Sequence, residues 1–232
     1  MKHCSLLLFI LSAFSWSVQA QNYQAIDSLL ELQKTAKAEV LQQVNLQLAW
    51  EYRKSHPDST IYFCHEAVAL LGNEAMHSTY AQAMNYIGVA HHYKGNDVEA
   101  FEYYTRAMEV GREVDSIQFG HALNNLGRFY MSQGDYISSY ENYNQALKIF
   151  QLKDDQMSLS YAYKSMAELY ITQERYDKAL EMAQKTLQLR RVNDNIRGQV
   201  SILNEIALIY LTLEDYDQAL NTYDEAMLLS TV

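Results

Sequence analysis

The chain has 232 residues, 49% of them hydrophobic and 19 of them tyrosine, so it can bury a large core and is not a disordered polymer. One proline and eight glycines are too few for a many-turned β fold, whose tight turns need special backbone angles; this leaves an all-α chain. A formal net charge of −10 repels phosphate backbones, so no nucleic acid is expected as a partner.

In chain order, residues 1–20, "MKHCSLLLFILSAFSWSVQA", combine a cationic start at Lys2, an apolar run from Leu6 to Trp16 and small residues at Val18 and Ala20. This is the layout of a cleavable signal peptide, with an apolar run too short to span a bilayer. Cys4 precedes that run, where a lipid-acceptor cysteine would follow it. Cleavage before Gln21 would move the net charge from −10 to −11, export the chain to the periplasm or cell surface, and leave no expected membrane span. It would also leave Cys64 as the single cysteine, read as a small apolar filler. Residues 21–37 follow as a helix capping the array, with Ile26, Leu29 and Leu30 facing it.

Residues 38–232 are internally repetitive. "YIGVAHHYKGNDVEAFEYYTRAM" (86–108), "NLGRFYMSQGDYISSYENYNQAL" (125–147), "SMAELYITQERYDKALEMAQKTL" (165–187) and "EIALIYLTLEDYDQALNTYDEAM" (205–227) superpose without gaps. Their small residues at Gly88, Gly127, Ala167 and Ala207 recur with a period of 39, 40 and 40, and a weaker copy around Ala49 makes five units, at about 42–73, 81–114, 120–153, 160–192 and 200–232. Each unit reads as two amphipathic helices, with apolar positions such as Leu123, Leu126, Tyr130, Tyr136, Tyr140, Tyr143 and Leu147. Gly95 and Gly134 sit where a helix C-terminus favours a left-handed residue, and Asp115, Asp155 and Asp194 are expected to cap the next helix. Close approach of the two helices requires small facing residues, supplied as Gly88 with Ala100, Gly127 with Ser139, Ala167 with Ala179 and Ala207 with Ala219. A third small position, at Ala107, Ala146, Thr186 and Ala226, lets the second helix lie on the next unit, and Tyr130, Tyr170 and Tyr210 fill the space around the notches.

These residues resemble the tetratricopeptide repeat, in the third unit through Leu123, Leu126, Gly127, Tyr130, Ser139, Tyr143 and Ala146. The resemblance spans residues 44–230, with a period longer than the usual 34 and without the motif's final proline. The extra length is expected to extend the helices by a turn. The resemblance implies a right-handed α-solenoid of about five stacked helix-turn-helix repeats, with first helices lining a concave surface that binds protein or peptide. Family contact positions fall on Gln82, Asn85, Val89, His92, Tyr93, His121, Asn124, Arg128, Met131, Tyr161, Lys164, Glu168 and Asn204, with Ile171 and Leu208 beside them. Asn85, Asn124 and Asn204 can pair with the main chain of an extended peptide, or can bond to adjacent helices and hold the repeats in register. Lys164 with Arg128 is the one pair that could clamp a terminal carboxylate.

No catalytic, cofactor or metal pattern is found. His65-Glu66 lacks a second histidine four residues on, and there is no nucleophile elbow or phosphate-binding glycine loop. His91, His92 and His121 could approach one another, but His91 occupies the position of Tyr130, Tyr170 and Tyr210 and is expected to be a packed core residue. The last unit ends at "AMLLSTV" without a capping helix, so three expectations stand: further C-terminal domains, a partner bound at the terminal face, or end-to-end self-association. The chain also resembles exported sensory regions of bacterial signalling proteins, which implies an input module; a freestanding envelope adaptor is the alternative. A metal-dependent enzyme using the histidines would require stoichiometric metal in the purified protein.

Overall fold

Two seventeen-residue helices and two three-residue turns build the forty-residue period. The computed structural model describes residues 23–72 and 76–231, so the signal peptide read at 1–20 and Val232 lie outside the described residues. Helix α1 covers 23–33. Five hairpins follow: α2 (Ala38–Tyr52) with α3 (Pro57–Ala69), α4 (Ser78–Tyr93) with α5 (Asp97–Val114), α6 (Ser116–Ser132) with α7 (Tyr136–Leu152), α8 (Gln156–Thr172) with α9 (Tyr176–Val192), and α10 (Ile196–Thr212) with α11 (Tyr216–Ser230). Among the described residues there is no strand and no helix long and apolar enough to cross a membrane. The first helix of each hairpin begins three or four residues before the expected repeat start, so the longer period extends its N-terminal turn.

The turns explain why the helices stop where they do. Within the hairpins the second residue after the helix takes a left-handed conformation, at Gly95, Gly134, Glu174 and Glu214. The next amide then reaches back five residues, as Asp135 N–H to Tyr130 O (2.9 Å) and Arg175 N–H to Tyr170 O (2.8 Å), and closes the helix end. Asp154 and Asp194 adopt the same conformation between hairpins. Asp194 is therefore not a cap, contrary to the sequence reading: the cap of α10 is Asn195, whose side chain accepts from Gly198 N–H (2.9 Å). Asp115 and Asp155 do cap, on Ile117 N–H and Ser158 N–H, and Asp135 and Asp215 cap the second helices of their hairpins.

Packing follows the small residues. Ala49, Ala167 and Ala207, the facing Thr60, Ala100, Ser139, Ala179 and Ala219, and the third column at Ala67, Ala107, Ala146, Thr186 and Ala226 are all buried. Each second helix packs on the next first helix, and α2, α4, α6 and α8 also meet in succession, which puts the first helices on the inner side of an α-solenoid. Ile26 of α1 joins the core of the first hairpin with Val44, Leu48 and Phe63, and Leu29 and Leu30 pack against it.

The tyrosines divide differently from expectation. Tyr104 and Tyr143 are fully buried and Tyr170 nearly so, but Tyr130 and Tyr210 are half-buried and Tyr136 and Tyr140 are exposed. Tyr136 and Tyr140 lie on the outward side of α7, where the alternation of tyrosines overstates the apolar face. His91 is likewise half-buried, its ring stacked 5.3 Å from that of Tyr103 rather than enclosed in the core.

Candidate functional site: the inner face of the array

Each first helix presents one stripe to the inner side. In α4, Gln82 is half-buried and its Nε2 donates to Tyr86 Oη (2.9 Å), and burial pushes the Tyr86 hydroxyl up to about 12. Asn85 is 1% exposed: its Nδ2 donates to Gln118 O (3.2 Å) and its Oδ1 accepts from Asn125 Nδ2 (3.2 Å), both on α6. Its polar groups thus join neighbouring repeats. Val89 is buried, His92 is half-buried with its Nδ1 4.0 Å from an Asp97 oxygen, and Tyr93 is exposed. Burial, then the charge of Arg128, lowers the pKa of His92.

In α6, His121 Nε2 lies 3.1 Å from Ser158 Oγ, which donates to Asp155 Oδ2 (2.7 Å), so this histidine also bridges to the following repeat. Asn124 is 6% exposed and its Oδ1 has no partner; Arg128 is half-buried with its Nε unpartnered; Met131 is half-buried. In α8, Tyr161 is half-buried and Lys164 forms ion pairs with Glu168 and, at 2.7 Å, with Glu205 of α10. Burial opposes the Lys164 charge, but the two carboxylates hold its pKa above the usual lysine value. For Glu168, burial is outweighed by Lys164 and Arg128, which hold its pKa below the usual range; for Glu205, burial prevails and its pKa is raised. Asn204 is half-buried beside it and Leu208 is exposed.

Several inner-face residues escaped the sequence reading. Trp50, Arg53 and Lys54 close α2: the Arg53 guanidinium lies 3.5 Å over the Trp50 ring and donates to Trp50 O. Trp50 packs on Tyr86 of the second hairpin (5.4 Å between centroids) and edge-on against Tyr161 of the fourth (6.1 Å). The inner stripes of hairpins one and four therefore meet across the array. The same register that selects Arg128 and Glu168 selects Trp50, Arg53 and Lys54 in the weaker first copy, a signal that was present but unused. Arg190, buried in α9, donates through Nη1 to Gly198 O (2.7 Å) and had no such signal.

Chemically the face offers hydrogen bonding, charge and aromatic surface. Burial raises the Cys64 thiol and the Tyr104 and Tyr143 hydroxyls, so these groups are held protonated. His91, His92 and His121 each have separate neighbours, and among the described residues no three His, Cys, Asp or Glu side chains form a metal-binding group.

Comparison with known proteins decides the family. Tetratricopeptide-repeat models match residues 81–114, 118–191 and 200–231, together more than half of the chain. The chain belongs to the tetratricopeptide-repeat family. Among solved structures, this tetratricopeptide array is similar to BtubC (BKLC) from P. vanneervenii, at TM-score 0.64 and 16% identity over 94% of this chain and 91% of that one. It is also similar to a Rap protein complexed with Competence and Sporulation Factor, at TM-score 0.62 and 17% identity over 92% and 71%. Aspartyl phosphate phosphatase F from Bacillus subtilis matches at TM-score 0.66 and 14% identity, over 88% of this chain and 55% of its own. These likenesses concern the fold. No curated protein sequence matches the chain.

Proposed function

We propose that this tetratricopeptide array is a non-catalytic scaffold that binds an extended peptide segment of a partner protein along its inner face. The observation that carries the reading is a set of inner-face polar atoms with no hydrogen-bond partner: Asn124 Oδ1, Arg128 Nε, Glu205 Oε2 and His92 Nδ1, the last 4.0 Å from an Asp97 oxygen. Buried polar groups are ordinarily hydrogen-bonded, so those left unpaired on the inner face keep capacity for an external donor and acceptor set, such as an extended main chain supplies. The Rap structure, a complex with Competence and Sporulation Factor, is a precedent for a tetratricopeptide-like solenoid with a bound factor. The signal-peptide layout of residues 1–20 supports export to the periplasm or cell surface, and a role as the input region of a signalling protein fits that reading. Its net charge of −10 argues against nucleic acid as the partner.

The test is selection of a random peptide library on the chain, followed by binding to Tyr93→Ala/Leu208→Ala. These two side chains lie on the inner-face register and are 43% and 56% exposed, so their loss leaves packing intact. Selected peptides should bind the variant at least tenfold more weakly while helicity is unchanged; equal binding to both proteins would refute the groove. Cell fractionation with N-terminal sequencing checks export, with Gln21 expected as the first residue of the exported chain.

A further inference from the structure

The inner face is pinched where the last turn of α2 meets the second turn of α8. Helix α2 packs on α3 and α4, and α8 packs on α6, α7 and α9, so the two belong to hairpins that are not neighbours along the array. The Trp50 ring nonetheless meets the Tyr161 ring edge-on at 6.1 Å, while its other neighbour, Tyr86, lies at 5.4 Å. Neighbouring extended chains lie about 4.8 Å apart, so a peptide running between the Trp50 and Tyr161 rings would need their centroids about 10 Å apart. The groove is therefore closed to a main chain at this point. An arginine backs each ring: Arg53 lies 3.5 Å over Trp50 and donates to Trp50 O, and Arg190, held by its bond to Gly198 O (2.7 Å), lies 6.0 Å from the Tyr161 centroid. Each ring is thus oriented by an arginine of its own hairpin. Val89, Arg128, Glu168 and Leu208 occupy the Trp50 position in the later hairpins, so the ring is particular to the first.

We propose that Trp50 is a latch: resting on Tyr161, it ties the first hairpin to the fourth and closes the inner groove, and the partner segment binds as the latch opens. This rests on the peptide-binding reading above. An edge-to-face aromatic pair is a modest interaction, so the closure is reversible. The curvature of a solenoid is a sum of small rotations between successive repeats, so slight changes at the three intervening interfaces carry α2 away from α8. A partner that binds the open form then shifts the population toward it, and the latch sets how much affinity that shift consumes. Tyr93 and Leu208 are exposed on the same face and remain available for first contact.

The test uses the full chain carrying Trp16→Phe, which leaves Trp50 as the single tryptophan and fluorescence reporter. Peptides selected on this chain should red-shift Trp50 emission and increase its quenching by acrylamide on binding, because the ring leaves Tyr161. They should bind Trp50→Ala at least about fivefold more tightly, because apparent affinity falls in proportion to the fraction of chains that are open. Tyr161→Ala should gain as much from the opposite side, and Trp50→Ala/Tyr161→Ala no more than either single variant. Circular dichroism identifies a variant that fails to fold, in which case the other single variant decides. A blue shift on binding would make Trp50 a ligand contact and overturn the latch, as would unchanged or weaker binding by either folded variant. If the library yields no binder, the peptide-binding reading fails, and solution scattering decides the latch without a ligand. The radius of gyration should then increase in the folded variants, and an unchanged radius would overturn the closure.

Discussion

Gly88 and Gly127 lie beneath the rings of Tyr104 and Tyr143, and a Cβ on either glycine would sit 2.6 Å from ring carbons. Small residues facing small residues, the reason read from the sequence, are only part of the cause: a methyl is excluded by a ring sixteen residues later. Where the first helix carries Ala49 or Ala167, the matching second-helix residue is Cys64 or Ala183, so volume is exchanged between the two helices; in the last hairpin Ala207 is matched by Tyr223, which is only half-buried. Gly127→Ala should therefore destabilise by about 1–3 kcal/mol, as overpacking does. In Gly127→Ala/Tyr143→Ala the combined loss should fall short of the sum by about 0.5–3 kcal/mol, measured by denaturant titration. A second residue-scale prediction concerns Glu174 and Glu214, at φ of 57° and 60°, where Gly95 and Gly134 stand in earlier repeats. A left-handed non-glycine residue is disfavoured by about 1–2 kcal/mol, partly offset by the unfolded-state freedom a glycine adds. Glu174→Gly/Glu214→Gly should raise the melting temperature by about 2–4 °C, the shift expected for about 1 kcal/mol in a chain of this size.

Between elements, polar side chains of one first helix bond to the next. Asn85 joins α4 to α6 and His121 joins α6 to the start of α8, whereas Asn124, one repeat after Asn85, is left with a bare acceptor. One sequence column therefore holds both a register bond and a candidate ligand contact, and residue type alone could not divide them. Asn85→Ala should cost about 1–3 kcal/mol, because Gln118 and Asn125 lose a buried partner. Acid sensitivity belongs to this scale too. Burial lowers the pKa of His121, with Asp155 and Asp115 acting in the opposite sense. Its folded value lies below the ordinary histidine value of about 6.5, so the unfolded chain binds the proton more strongly. Stability is complete above the unfolded value and declines as pH falls toward the folded value. Melting curves should shift downward on acidification through that window, and His121→Gln should reduce the shift.

Across the whole molecule, curvature brings Trp50 of the first hairpin against Tyr161 of the fourth. Tyr161→Ala should red-shift Trp50 emission and increase its quenching by acrylamide in the Trp16→Phe background, with helicity unchanged; an unmoved spectrum would mean that this contact does not shield Trp50. The sequence by itself determined the all-α class, the five hairpins, most turns and the small-residue columns, because these depend on neighbours within about forty residues and repeat with that period. Only the tertiary structure decided which inner-face charges are engaged, as Lys164 is with Glu168 and Glu205, and which side chains meet from distant repeats, as Trp50 and Tyr161 do. The physical reason is that curvature accumulates small rotations from one hairpin to the next, and no local pattern of residues encodes their sum.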